Sequence, residues 1–264
     1  YVHACEFRPD RPEGQQERHF RFPNTPEAWT ALVAELDREA VVALEVTGNA
    51  FEIYDTLAPH AGKVLVANAV ELKRLGSGRH TDRVDAARLA KMAALGIVPT
   101  VWVPPQPLRQ VRRLLKTRER LDSQRRALLN QARAALNRHG IAVPRGADPA
   151  VLLERMEGVP LPPGERLAVQ VTLEAAQVLE AQVEVLTAEI ARQVAEVPEV
   201  RLLLTVTGVG LLTAATVWAK LGDPGRFRGP KQVARYAGLD PSVDQSGERD
   251  RRGRISRHGD RLLR

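Results

Sequence analysis

The rhythm of apolar and polar positions changes three times along the chain. As far as residue 104, short apolar runs alternate with helical patterns. YVHACEF and ERHFRF read as two short strands, and the turn-rich RPDRPEGQQ between them predicts a hairpin. PEAWTALVAEL begins on a proline and repeats its apolar residues at helical spacing. VVALEV is a short β-branched run, read as a strand buried on both faces and ended by the breaker TGN. FEIYDTLAPH predicts a helix, GKVLVANA another buried strand, and HTDRVDAARLAKMAALG a helix that opens on its aspartates. Buried strands alternating with helices imply an α/β sheet covered on both sides.

VWVPPQPLR, with three prolines among positions 104–107, ends that pattern. Beyond it, residues 107–139 read as one long helix in which Leu114, Leu121, Leu128 and Ala135 recur every seven residues among arginines. Residues 141–166 are rich in Pro and Gly, and Leu179, Val183, Leu186 and Ile190 then step by four, three and four through an acidic helix. Such helices, opposite in net charge and joined by a proline-rich turn, predict an antiparallel helical hairpin or coiled coil. From residue 199, the GVG of TVTGVGLLTAATVWAKLGDPGRF separates two apolar helical runs. That is the look of a helix-hairpin-helix, in which the glycines Gly208 and Gly210 let backbone amides approach a phosphate. KQVARYAGLDP predicts a further short helix, and PSVDQSGERDRRGRISRHGDRLLR reads as a flexible basic tail that wraps a backbone. The chain thus divides into an α/β domain over 1–104, a helical hairpin over 105–198 and a small, mostly α domain over 199–264.

Composition narrows the class. Apolar residues make up 44% but aromatic ones only 4%, so Ala, Leu and Val do the packing, and Trp29, Trp102 and Trp218 read as core. A single cysteine, Cys5, excludes an internal disulfide and a metal site built of cysteines. No apolar run is long enough to cross a membrane, and the opening residues are patterned as a strand, not as a leader. The expected setting is a soluble protein of a reducing, prokaryotic cytoplasm, associated with the nucleoid.

Charge says more when it is divided along the chain. Residues 1–104 carry a net −2, residues 105–140 a net +8, residues 141–200 a net −6 and residues 201–264 a net +7. Separate basic segments point to separate contact surfaces for a polyanion, with nucleic acid the favoured partner. The expected contacts are Arg109, Arg112, Arg113 and Lys116 in the first segment, the turn glycines, and Arg249, Arg251, Arg252, Arg254 and Arg257 in the tail. His80, His139 and His258 lack ligand spacing.

Asp82 and Asp85 open their helix three residues apart. They fit two roles: Asp82 as an N-cap with Asp85 favourable to the helix dipole, or both as carboxylates on one face that hold a divalent metal. Glu45 stands at the end of a strand, where open α/β sheets gather functional groups, or it pairs with an arginine or caps a neighbouring helix. Carboxylates at a strand end and a helix start are what two-metal phosphodiester chemistry needs.

ALEVTGN, HTDRVDAARLA, VPP before a basic helix, TVTGVGLLTAA, LGDPGRF, YAGLDP and SG…GRISRHGDRLLR occur in that order. In this the chain resembles, over essentially its whole length, the DEDD-type insertion-sequence transposases of the "one-ten" family, whose catalytic domain is similar to the RuvC resolvase. The resemblance implies a RuvC-like RNase H fold, a helical coiled-coil insertion and a C-terminal transposase domain. It gives Glu45 the family's glutamate position, Asp82 and Asp85 its last two aspartates, and Ser246 of QSG its serine nucleophile. It also implies Mg²⁺ or Mn²⁺, donor and target DNA, a structured guide RNA, and dimers or tetramers in which one subunit's serine meets another's carboxylates.

The family's first aspartate lies on an opening strand, in a segment like GIDVAK, that would precede Tyr1. The chain therefore reads as a fragment cut at both ends, with a weakened metal site expected. QSGERD lacks the second glycine expected after SG, which leaves Ser242 as the alternative serine. Two rival readings use the same residues. A RuvC-type nuclease would need the acids but no serine, and a non-catalytic nucleic-acid-binding protein would use the acids as caps and ion pairs.

Overall fold

The computed structural model describes residues 1–75, 81–143, 146, 148–246 and 249–264. Its chain forms two compact units, Tyr1–Val103 and Pro104–Arg264.

The first unit starts with the expected hairpin. Strands β1 (Val2–Phe7) and β2 (Glu17–Phe22) pair antiparallel from Val2 opposite Phe22 to Phe7 opposite Glu17. Helix α1 (Pro26–Glu35) is capped by Thr25, whose hydroxyl accepts from the Ala28 amide. Its buried Trp29 donates to Asn24 Oδ1 at 2.8 Å and meets the Phe22 ring edge-on at 5.0 Å. Strand β3 (Val41–Glu45), helix α2 (Ala50–Leu57) and strand β4 (Lys63–Ala67) form a parallel crossover, with Glu45 opposite Ala67. Helix α3 (Ala69–Leu75) follows, started by Asn68, whose Oδ1 accepts from the amides of Val70 and Glu71. Helix α4 (Asp82–Ala94) packs on β1 and β3. The chain then returns along the outer edge of β4, where the Asn68 amide donates to Pro99 O at 2.7 Å and the Val101 amide to Val66 O at 2.8 Å.

Two expectations need correction here. The strands do not form one doubly covered sheet but separate two-stranded ones, so β3 is only half-buried and Val41 and Val46 are 47% and 39% exposed. Helix α3 was not expected at all; AVELKRL is seven residues long and buries none of them.

The second unit is built on two long antiparallel helices, α5 (Gln106–Arg138) and α7 (Pro163–Val194), with the short α6 (Pro149–Glu157) between them. The heptad spacing is present, but the buried seam of α5 lies one residue away from the expected row. Leu108, Leu115, Leu129 and Leu136, with Val111 and Ala132, are buried, whereas Leu114, Leu121 and Leu128 are only half-buried. On α7 the seam is Val169, Leu173, Ala176, Val183, Ile190 and Val194. Its middle is polar, which is what hides it in the sequence. Arg118 Nε donates to Thr187 Oγ1 at 2.8 Å, and Arg125 binds both Glu180 and Asp122 at 2.9 Å. Polar partners at core heptad positions fix register more than they add stability.

Apolar clusters lie on either side of this polar layer. One joins Leu129, Ala132 and Leu136 to Leu152 and Met156 of α6 and to Leu173 of α7. The other joins Val111, Leu115, Ile190 and Val194 to helices α8 (Pro198–Leu204) and α9 (Leu211–Leu221) through Val200, Ala214, Ala215 and Ala219. Residues on both sides of position 199 thus share one core. Among the described residues, no helix is long and apolar enough to cross a membrane.

At the far end of the pair, Glu165 in the first turn of α7 accepts from Arg138 at 2.9 Å and His139 at 2.5 Å. Arg138, then His139, holds its carboxyl below the usual range. A depressed carboxyl adds stability that is complete above its unfolded pKa and lost as pH falls through the folded one. Glu165→Gln is therefore expected to flatten the loss of stability on acidification across that window, read from denaturant midpoints at stepped pH.

Helix α10 (Pro230–Ala237) leads into an antiparallel hairpin of β5 (Pro241–Ser246) and β6 (Arg249–Ile255). Part of the tail read as a flexible wrap is thus a two-stranded ribbon. Gly253 allows a close approach: a Cβ there would overlap Ser242 Oγ, which donates to Arg254 O at 3.1 Å. After β6 the chain folds back on the end of α10, where Ser256 binds Asp240 through both its amide and its hydroxyl.

Candidate functional site

The acidic residues sit where the strand end and the helix start meet the surface of the first unit. Thr81, not Asp82, caps α4: its hydroxyl accepts from the Val84 amide at 3.3 Å. Asp82 is then the first helical residue and Asp85 the fourth, so the expected capping role of Asp82 is corrected. Thr and Asp are both good caps, and the one nearer the chain's entry took the position. Asp82 is 81% exposed at its side chain and lies 3.6 Å from His3 Nε2; Asp85 meets Arg88 one turn on at 3.4 Å. Glu45 closes β3 and is exposed, with no hydrogen-bond or ion-pair partner among the described residues. Among the described residues it pairs with no arginine.

The three carboxylates offer oxygen donors, which suit a hard divalent cation. Their atoms do not all lie within 4.8 Å of one another, so the described groups do not form a closed three-ligand cluster.

The expected basic contacts separate into two kinds. Arg109 is 7% exposed and faces the interior of the second unit. Arg112 is half-buried and donates to the Ala219 and Lys220 carbonyls at 2.6 and 2.9 Å, which caps the negative end of the α9 dipole. Burial pushes its guanidinium below the usual range. These two arginines serve the fold, which corrects their expected placement on the contact surface. Arg113 and Lys116 are exposed, as are Arg251, Arg254 and Arg257 on the ribbon and beyond it.

Gly208 takes a left-handed φ of +88°, and Gly210 is the N-cap of α9 with no side-chain cap, so the glycine turn between α8 and α9 forms as expected. Ser246 ends β5 opposite Arg249. The side chains of Ser246, Arg249 and Arg252, and all of Gly247, Glu248 and His80, lie outside the described residues. Ser242 is tied by its hydroxyl to the opposite strand, as described above.

Sequence reasoning missed a clamp around the last turn of α9. Arg226 donates to Leu221 O at 2.9 Å while stacking on Phe227 and Tyr236, the Tyr236 hydroxyl donates to Lys220 O, and Lys220 pairs with Asp260 at 2.5 Å. The signal was present in LGDPGRF and YAGLDP, which the structure brings together.

A family model described as a transposase of the DEDD type, IS110 group, matches residues 3–141, just over half of the chain. The chain belongs to the IS110 family of transposases. A second model, described as the transposase IS116/IS110/IS902 family, matches residues 200–264. The relatives carry transposase names too. A probable family 20 transposase of Pseudomonas aeruginosa is 31% identical, over 85% of this chain and 68% of its own length. The putative transposase y4qE of Sinorhizobium fredii is 28% identical, over 76% and 50%, and the transposase for insertion sequence element IS1111A of Coxiella burnetii is 26% identical, over 89% and 66%. The chain spans half to about two thirds of the length of these relatives. Membership of the DEDD group implies a RuvC-like fold and divalent-metal dependence, and the parallel β3–β4 crossover flanked by helices is compatible with that fold.

Proposed function

We propose that this IS110-family chain cuts and rejoins DNA strands at the ends of an insertion sequence, with Glu45, Asp82 and Asp85 as metal ligands and Ser246 as the nucleophile. The observation that carries the reading is the unpartnered, exposed carboxylate of Glu45 at the end of β3, together with Thr81 holding the cap that would otherwise occupy Asp82. A strand-end carboxylate with no ion pair among the described residues is placed to serve as a ligand.

A bound Mg²⁺ or Mn²⁺ would stabilise charge on the scissile phosphate and on the attacking and leaving oxygens. The chain's own residues supply the rest. The Ser246 hydroxyl gives its proton to solvent and its oxygen bonds to phosphorus as the bond to the deoxyribose oxygen breaks. That oxygen takes a proton from solvent, and the new ester conserves the phosphodiester energy for rejoining. Ser246 is favoured over Ser242 because the Ser242 hydroxyl is engaged across the ribbon. The exposed Arg251 and Arg254 would neutralise the pentacovalent phosphate, and the exposed Lys116 would help to position the backbone. Donor and target DNA are the substrates, a structured RNA from the element's own ends is the guide, and the working form is a homo-oligomer in the cytoplasm, at the nucleoid.

The test mixes the intact protein with Mg²⁺, RNA transcribed from the element ends, and donor and target DNA. Strand cleavage that is lost on chelation of the metal and on omission of the RNA supports the proposal. Cleavage that ignores the RNA and shows no rejoining would favour a structure-selective RuvC-type nuclease instead.

A further inference from the structure

The β1–β2 hairpin carries a cluster that plays no part in the chemistry above. Cys5 and His19 stand directly opposite each other across the two strands, and Glu17, two residues before His19, shares their face. One ligand atom from each residue lies within 4.8 Å of the other two. Among the described residues, no other group of His, Cys, Asp or Glu side chains meets that distance.

The polar partners of this trio are incomplete. His19 Nε2 faces Glu17 Oε2 at 3.0 Å, which places the ring proton on Nε2 when the carboxylate is ionised. Hydrogen bonds from Lys91 and then His19 hold the Glu17 carboxyl below its usual range, so it is ionised. His19 Nδ1 is left with a buried lone pair that has no hydrogen-bond partner among the described residues. An unsatisfied buried polar atom is costly, and the fold offers this ring no second partner among the described residues. Cys5 Sγ makes only a long 3.7 Å contact to the Glu6 carbonyl. Burial first, then the Glu17 charge, pushes its thiol up.

We propose that Cys5, Glu17 and His19 form a binding site for a borderline-soft divalent cation of the Zn²⁺ class. A sulfur, nitrogen and oxygen set suits Zn²⁺ or Co²⁺, whereas Mg²⁺ takes oxygens alone. The site is therefore distinct in chemistry from Glu45, Asp82 and Asp85, and does not rest on the proposed reaction. On binding, the Cys5 thiol gives its proton to solvent and the thiolate sulfur forms the bond to the cation, with no electron transferred. Glu17 also pairs with Lys91 of α4 at 2.7 Å through its other oxygen. An occupied site thus ties the hairpin to the helix that opens with Asp82 and Asp85. The Lys91 and Arg83 charges near Cys5 oppose the cation and hold the affinity below that of a closed four-ligand site.

Titration of the intact protein with Co²⁺ tests this. Because Cys5 is the chain's single cysteine, a thiolate-to-cobalt charge-transfer band in the near ultraviolet reports this site alone. The band is expected to saturate at one Co²⁺ per chain and to disappear on adding Zn²⁺. Cys5→Ser should abolish it, and Glu17→Gln and His19→Gln should each weaken binding at least about tenfold. Lys91→Met should tighten binding, and circular dichroism confirms that each variant is folded. Absence of a band at excess Co²⁺ would overturn the proposal. So would a band indifferent to Glu17→Gln and His19→Gln, which marks a simple thiol complex.

Discussion

Glu45→Gln and Asp85→Asn are each expected to lower strand cleavage at least about a hundredfold, the scale of the several kcal/mol that a bound metal contributes to charge stabilisation. Stability should change by less than about 0.5 kcal/mol, as for surface substitutions away from caps and cores. The two effects separate because neither carboxylate holds the fold. Glu45 has no partner among the described residues, and Asp85 is 40% exposed at its side chain, with its pair to Arg88 at 3.4 Å. Thr81→Ala is the control: it removes the helix cap and should cost about 1 kcal/mol. Cleavage rates and denaturant midpoints on the same samples decide the matter. A large stability loss in Glu45→Gln would return that residue to a structural role.

Leu173→Ala should cost about 3–5 kcal/mol. Leu173 is fully buried at 0% exposure in the cluster that joins α5, α6 and α7, so truncation leaves a cavity among neighbours on three helices. Val178→Ala, five residues on along the same helix and 62% exposed, should change stability by less than about 0.5 kcal/mol. Chemical unfolding of the intact protein measures both. Equal effects at the two positions would mean that the seam is not where the burial places it.

Much of this fold was legible in the chain because alternation and helical spacing are strong where one face is buried. The β1–β2 hairpin, the β3–α2–β4 crossover, the length of α5 and the presence of the acidic α7 all follow from that signal. The seam of α5 did not, because Leu108–Leu115–Leu129–Leu136 and Leu114–Leu121–Leu128–Ala135 both repeat by seven, and the true row is interrupted by Asp122. The β5–β6 ribbon was hidden for a different reason: PSVDQS and RDRRGRI lack the apolar alternation of a half-buried strand. At the candidate site, residue types pointed to Glu45, Asp82 and Asp85, but the cap read as Asp82 is held by Thr81. Nor does a basic segment declare which arginines turn inward; Arg109 and Arg112 differ from Arg113 only in the direction that the helix gives them.

The measurement that bears most directly on the proposed chemistry is a denaturing gel of the protein after reaction with Mg²⁺, RNA from the element ends, and labelled donor and target DNA. The account predicts a covalent protein–DNA adduct in the unsubstituted protein, absent in both Ser246→Ala and Asp85→Asn, and retained in Ser242→Ala, whose hydroxyl only bridges the ribbon. Nicked DNA with no adduct, or an adduct that survives Ser246→Ala, would contradict it.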